Sequence, residues 1–377
     1  MAIKRNPFVF LCMLLFMSIS FNANAITSMK RYSAKTANMF HIMYLERIDE
    51  LLSANLYHYS FNNIEKNYFE RVELIGKMID DNKFSLKIIG QREEFMSGSF
   101  INEDIVVEMG DNPFEDGLIR FAYSVHEESI PLRIIWLQKS FPYDTDDPFS
   151  PSASLDLTIV LSNESGNVKV DSQLITFSGL SGERYDSRTE IEALVEKAIN
   201  RYAEQYKSMP SNKENPEFRA SSWERLQQIQ PLLNNSGLLC LEKTIYAYTG
   251  GTHGLTHISY LLINEEGNQL TPDDIFREGY REMLGKMIQK QIRSLQIIGD
   301  EEEFTSVGFF TNEILPNENM YINHSGLGFV YNIYEIAAYY KGHIRVHFTP
   351  ADLADLIQPG IWKDKLWQIF YPDTGKP

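Results

Sequence analysis

The chain contains one stretch of itself twice, and this repetition constrains its architecture more than any other feature. Gly76 to Ser97 reads GKMIDDNKFSLKIIGQREEFMS, and Gly285 to Ser306 reads GKMIQKQIRSLQIIGDEEEFTS. At a constant offset of 209 residues, 13 of these 22 positions are identical, where unrelated chains of average composition share roughly one or two. The identities include polar positions such as Lys77, Ser85, Glu93 and Glu94, which two chance amphipathic helices would not share. The likeness continues from Phe121–Glu127 (FAYSVHE) to Phe329–Glu335 (FVYNIYE), and faintly from Phe61–Ile64 to Pro272–Ile275. Such a period is too long for a solenoid. It predicts a duplicated domain, with residues 60–135 and 270–348 sharing one helix-plus-sheet topology.

Residues 1–25 carry the pattern of a signal peptide. Lys4 and Arg5 precede an apolar run from Phe8 to Phe21, and Asn22-Ala-Asn-Ala25 supplies small residues before a cleavage point. The run is shorter than the ~20 residues of a membrane helix. Cys12 lies inside it rather than at its end, where a lipoprotein would need it. The expectation is an exported protein, periplasmic or extracellular, beginning near Ile26 and keeping no membrane span. The whole chain has 35 Lys+Arg against 51 Asp+Glu, a net charge of -16. Without Lys4 and Arg5 there are 33 against 51, or -18. That balance argues against nucleic acid and anionic lipid as partners and fits a cationic one. Cys240 is then the single mature cysteine and reads as a small buried hydrophobe.

Leu155 to Leu161 alternates and predicts a strand, Glu164 to Asn167 a turn, and Val168 to Phe177 the returning strand. Ser187-Arg-Thr-Glu190 is a capping box, followed by apolar residues at helical spacing from Ile191 to Tyr202. Ser208 to Pro216 reads as a loop. Leu238–Tyr248 and His257–Asn264 read as strands, and Thr271-Pro272 opens a helix running to about Leu295. Phe329–Tyr340 and His343–Phe348 predict a hairpin across Lys341-Gly342, with a short helix opening at Thr349-Pro350. The fold class expected is α+β, helices packed on antiparallel sheets, with an internally duplicated domain.

Several motifs together resemble one family. They are Tyr248-Thr-Gly-Gly-Thr-His-Gly254, Asn264 with Gly267, Leu270-Thr-Pro-Asp-Asp-Ile-Phe276, and Tyr331–Tyr340 (YNIYEIAAYY) with Gly342. This order is similar to the extracellular domain that closes RsiV-type anti-sigma factors and that also occurs in PdaC-type peptidoglycan deacetylases. Leu155 to Tyr206 is similar to the smaller PdaC-type domain that precedes it. The organisation expected is a signal peptide at 1–25, a degenerate RsiV-type copy at 26–150, a PdaC-like domain at 151–237, the RsiV-type domain at 238–360 and a tail at 361–377. The resemblance implies a non-enzymatic binding or sensing module of the cell envelope. RsiV-type ectodomains capture lysozyme, so the implied partner is a cationic, lysozyme-like protein or a peptidoglycan fragment. Only seven residues precede the apolar run, too few for the sigma-binding domain that the resemblance would call for.

The best site candidate is the glycine loop, with Tyr248, Gly250, Gly251, His253 and Gly254 as ligand-binding residues. Paired glycines permit positive φ and close approach, and a tight structural turn is the competing reading. The first copy has Met39–Leu45 in the corresponding region, without glycine, and reads as scaffold. An alternative reading is a glycan-directed hydrolase or deacetylase using His253 and His257. On a strand these residues stand ~13 Å apart, too far for one ion, and Asp273-Asp274 follows the histidines instead of preceding them. No metal, cofactor or catalytic residue is therefore assigned, and no nucleophile motif occurs. His343, Arg345 and His347 share one face of a strand that reads as half-solvated. Among Tyr331, Tyr334, Tyr339 and Tyr340, exposed rings would be able to stack on glycan rings.

Overall fold

The computed structural model describes residues 27–35, 39–48, 51–60, 69–88, 91, 93–109, 118–123, 129–147, 149–162, 167–180, 188–208, 222–361 and 365–370. The signal-peptide segment, Phe61–Ile64, Ser187, most of the Glu164–Asn167 turn and most of the Ser208–Pro216 loop lie outside these residues. The chain divides into two compact units, Met1–Glu127 with Pro131–Ile135, and Glu128–Ile130 with Trp136–Pro377. Residues on either side of 237, where a boundary was expected, belong to one hairpin of the second unit. No helix among the described residues is long and apolar enough to cross a membrane.

The first unit is built from eight strands in sequence order: β1 (Thr27–Lys35), β2 (Met39–Ile48), β3 (Leu51–Ser60), β4 (Phe69–Met78), β5 (Lys83–Ile88), β6 (Met96–Ile101), β7 (Asp104–Met109) and β8 (Leu118–Tyr123). Each pairs antiparallel with the next. β8 returns to β1 through Tyr32↔Tyr123 and Ser33↔Ala122, which closes a barrel. Strand alternation turns Met43, Leu45, Leu74, Phe84, Leu86 and Phe121 into one buried core.

This is not the predicted helix-plus-sheet unit, and the duplication is not confirmed. The two like stretches adopt different secondary structures, and the residues in which they differ explain why. In the first, Asp80 Oδ1 accepts from the amides of Asn82 (2.9 Å) and Lys83 (2.7 Å), closing a turn between β4 and β5. The matching places in the second stretch, Gln289 to Arg293, hold helix formers. There Ile292 extends the buried line of Tyr280, Leu284 and Ile288. Lys83 stands where that isoleucine would be, so the apolar line of Ile75 and Ile79, which match Leu284 and Ile288, stops there.

In the second unit the part of β9 (Leu132–Pro142) from Trp136 on, β10 (Ser152–Ser162), β11 (Trp223–Asn235), β12 (Leu238–Tyr248) and β13 (Leu255–Asn264) lie in the order β13-β12-β11-β10-β9, with β10 and β11 parallel. On one face lie α1 (Val168–Phe177) and α2 (Arg188–Lys207). Lys243 Nζ donates to the Phe177 carbonyl (2.7 Å) and Gln227 Nε2 to that of Ser178 (2.9 Å). The segment expected to return as a strand is α1. Asn167 caps the amides of Lys169 and Val170, and Val170, Leu174 and Ile175 share its buried side.

The opposite face carries a three-stranded antiparallel sheet, β14 (Met320–Asn323), β15 (Gly326–Tyr331) and β16 (Ile344–Phe348). The helix expected from Thr271 to Leu295 is two, α3 (Pro272–Ile275) and α4 (Tyr280–Gln296), parted at Gly279 with φ 80°. α5 (Pro350–Leu353) opens on a Thr349/Asp352 capping box. The strand expected across Phe329–Tyr340 ends at Tyr331. The molecule is mostly β, and α+β describes it only loosely.

Side-chain amides, not a strand, complete the outer edge of β13 at Ile258 and Tyr260, while farther along the Leu270 amide donates to the Leu262 carbonyl (2.8 Å). Asn332 accepts from the Ile258 amide (2.7 Å) and donates to its carbonyl (2.9 Å). Asn319 donates to the same carbonyl (2.9 Å) and accepts from the Tyr260 amide (3.1 Å). Gln291 of α4 binds both backbone groups of His347 on β16 at 2.7 Å. Asn332→Ala leaves the Ile258 amide without its acceptor and the Ile258 carbonyl with Asn319 alone, and should cost about 1–3 kcal/mol. Urea unfolding checks this, and an unchanged midpoint would show the edge to be satisfied in another way.

Candidate functional site

β12 ends at Tyr248 and β13 begins at Leu255, so the glycine loop is the tip of a hairpin. Gly250 and Gly251 have φ of 98° and 100°, values that favour glycine. Gly254 is needed for space, because a Cβ there would come within 2.4 Å of the Tyr246 ring. Tyr248 Oη donates to the Gly251 carbonyl (3.0 Å) and folds the tip back on its own strand. Glu224 is paired across from Tyr248, and burial raises its carboxyl above the usual range.

The tip meets the segment that follows β15. His253 stacks on Tyr339 with centroids 4.1 Å apart and planes 27° apart, and the Tyr334 ring lies 5.7 Å from Tyr339. Tyr334 holds φ 67°, a left-handed conformation costly for an aromatic residue. Tyr340 donates to the Val307 carbonyl (3.0 Å), and the Phe310 amide donates to that of Ile336 (2.9 Å), which brings the Phe304–Phe310 segment into the same surface. Tyr340 and Tyr334 are 71% and 55% exposed, as is Phe310 at 57% on the segment paired with them, whereas Leu255, 45% exposed, faces the other side of the sheet with His257. Tyr331 is buried instead, its hydroxyl donating to the Leu315 carbonyl (2.6 Å).

Beneath this surface the two sheets are joined by a buried polar network. Glu242 accepts from Gln230 Nε2 (2.9 Å), Tyr260 Oη (2.8 Å) and Arg345 (2.9 Å). Arg345 also lies over the Tyr321 ring at 5.4 Å. One neutral tautomer of His347 satisfies a continuous chain: Tyr321 Oη donates to Nδ1 (3.1 Å), Nε2 donates to Ser325 Oγ (2.9 Å), and Ser325 Oγ donates to Asn323 Oδ1 (2.8 Å). The His343–His347 face is thus packed against the long sheet, where the sequence suggested solvent. His343 Nε2 lies 3.0 Å from the Thr256 carbonyl. Burial pushes the Cys240 thiol up to about 12, which keeps it a neutral hydrophobe.

Of the predicted ligand-binding residues, Tyr248, Gly250, Gly251, His253 and Gly254 all occupy this tip. His253 and His257 are not brought together. His257 pairs with Ile245 and Thr256 with Tyr246, so His257 faces the other side of the sheet from Tyr246. Among the described residues no group of three or more His, Cys, Asp or Glu is placed to hold a metal ion. Sequence reading missed Phe310 on the surface, and Asn319, Asn332 and Glu242 below it.

Burial holds the His347 imidazole down to about 4, with the Arg345 charge adding to the effect and the Ser325 contact and Asp352 opposing it. The unfolded chain takes up this proton near 6.5, before the folded one does. The stabilisation from neutral His347 is therefore whole above about pH 6.5 and is lost as pH falls toward 4, by up to about 3 kcal/mol. Urea unfolding of wild type and His347→Gln between pH 4 and 7 tests this. The substitution should flatten that part of the profile, and parallel profiles would contradict the assignment.

No curated protein sequence matches the chain. A crystal structure of a DUF3298 family member from Bacteroides fragilis is similar in fold, with TM-score 0.53 and 19% identity over 64% of this chain and 99% of that one. A second, of a DUF3298 family protein from Pseudomonas aeruginosa, aligns at TM-score 0.44 and 14% identity over 62% of this chain and 96% of that one. In sequence, the family model described as "Protein of unknown function (DUF3298)" matches residues 273–349, from α3 to the end of β16. The chain therefore carries a DUF3298 domain at residues 273–349.

Proposed function

We propose that this is a non-enzymatic, exported cell-envelope binding protein whose second unit captures a cationic protein, lysozyme being the first to try. The observation that carries the reading is the run of aromatic side chains Tyr334, Tyr339 and Tyr340, with Phe310 on the adjoining segment, against the His253 tip. Tyrosine supplies much contact area at low entropic cost and is enriched where proteins bind proteins. Catalysis in an enclosed site would call for convergent titratable groups, and the two histidines of the hydrolase reading diverge. The acidic balance of the chain favours encounter with a basic partner, by steering that salt weakens. The resemblance to a lysozyme-capturing domain points to the same class of ligand.

Calorimetry of the full chain with lysozyme at two salt concentrations tests this reading. Binding should weaken at the higher salt, and Tyr334→Ser and Tyr340→Ser should each reduce affinity about tenfold, the usual scale for an interface anchor. Absence of heat with basic proteins at low salt would end the proposal.

A further inference from the structure

We propose that His253 is a displaceable cover on Tyr339, occupying the ring face that a partner's arginine guanidinium takes in the complex. The inference rests on the binding reading above and concerns the same surface. The tip that carries His253 is built to swing. Two successive residues, Gly250 and Gly251, hold positive φ, and no neighbouring atom lies within 4 Å of where a Cβ on Gly251 would sit. The Tyr248 hydroxyl ties the tip to its own strand through Gly251. His253 is exposed, and its polar contact is local, Nδ1 at 3.3 Å from the Gly254 carbonyl. What links the imidazole to the C-terminal segment is the ring stack on Tyr339. An aromatic stack biases such an equilibrium by roughly two- to tenfold, so a competing planar group is able to replace it.

The chemistry around Tyr339 selects the competitor. A guanidinium is planar, weakly hydrated and stacks on aromatic faces while pairing with carboxylates. Tyr334 stands beside Tyr339 as a second ring wall, tilted 42°. Glu335 follows Tyr334 directly, and Glu224 lies across from Tyr248 at the base of the tip. Ring faces of this kind hold a planar, delocalised cation better than a compact, strongly hydrated ammonium. Glu335, whose carboxylate accepts from the Asn332 N–H and from Asn317 Nδ2, keeps the ring segment in place. His253 thus guards the face in the free protein and leaves it in the complex.

The test uses the full chain with lysozyme as probe, by calorimetry and by NMR of the histidine ring protons. His253→Ala should bind two- to tenfold more tightly than wild type, and His253→Trp, with its larger ring, more weakly. Tyr339→Leu should lose affinity and make the His253→Ala change silent. In wild type the His253 ring protons, shifted upfield by Tyr339, should move to free-imidazole positions on binding. Weaker binding by His253→Ala, or retention of the upfield shift in the complex, would overturn the cover while leaving partner capture intact. A wild type that binds no basic protein would overturn both.

Discussion

A β-strand at the margin of a sheet carries a row of amides and carbonyls that cost free energy when buried without partners. In the second unit that cost is met by side chains. Asn319 and Asn332 present to Ile258 and Tyr260 the donor and acceptor groups a neighbouring strand would offer, and Gln291 does the same for His347. A carboxamide reproduces a peptide group's hydrogen-bonding pattern but ends after one unit. The sheet therefore stops at β13, and the elements bearing those amides are fixed against it.

The surface above follows from this anchoring. Asn332 lies two residues before Tyr334, and its backbone N–H donates to the Glu335 carboxylate (2.7 Å), which holds the turn in which Tyr334 takes its left-handed conformation. The Glu242–Arg345 contact ties β16 to β12 from below. With both fixed, Tyr339 arrives under the glycine tip and Tyr334 beside it. A ring surface that is rigid on the C-terminal side and adjustable on the loop side suits recognition of a folded partner.

Much of this was legible in the sequence where one local signal acted alone. β12, β13 and their glycine tip follow from alternation interrupted by Gly250 and Gly251, and the Thr349-Pro350 signal marks α5. Val168 to Phe177 misleads because Val168 and Val170 suggest alternation, and Asn167, read as the end of a turn, caps a helix instead. The barrel was hidden for a different reason. Identity between the two like stretches argues for one structure, yet the turn chemistry of Asp80 and the apolar place of Ile292 decide between strand and helix. Asn319, Asn332 and Gln291 carry no spacing that distinguishes an edge-capping amide from a solvated one. His347 looked half-solvated because nothing local shows that a second sheet lies over its face.

Fold and candidate site thus depend on amides standing in for a strand. Hydrogen exchange at single-residue resolution in the second unit tests this claim most directly. The account predicts that the Ile258 and Tyr260 amides are protected to the same degree as amides inside the β12–β13 ladder, although no strand lies beyond them. Exchange of those two amides as fast as that of the exposed Thr249–Gly254 tip would contradict it.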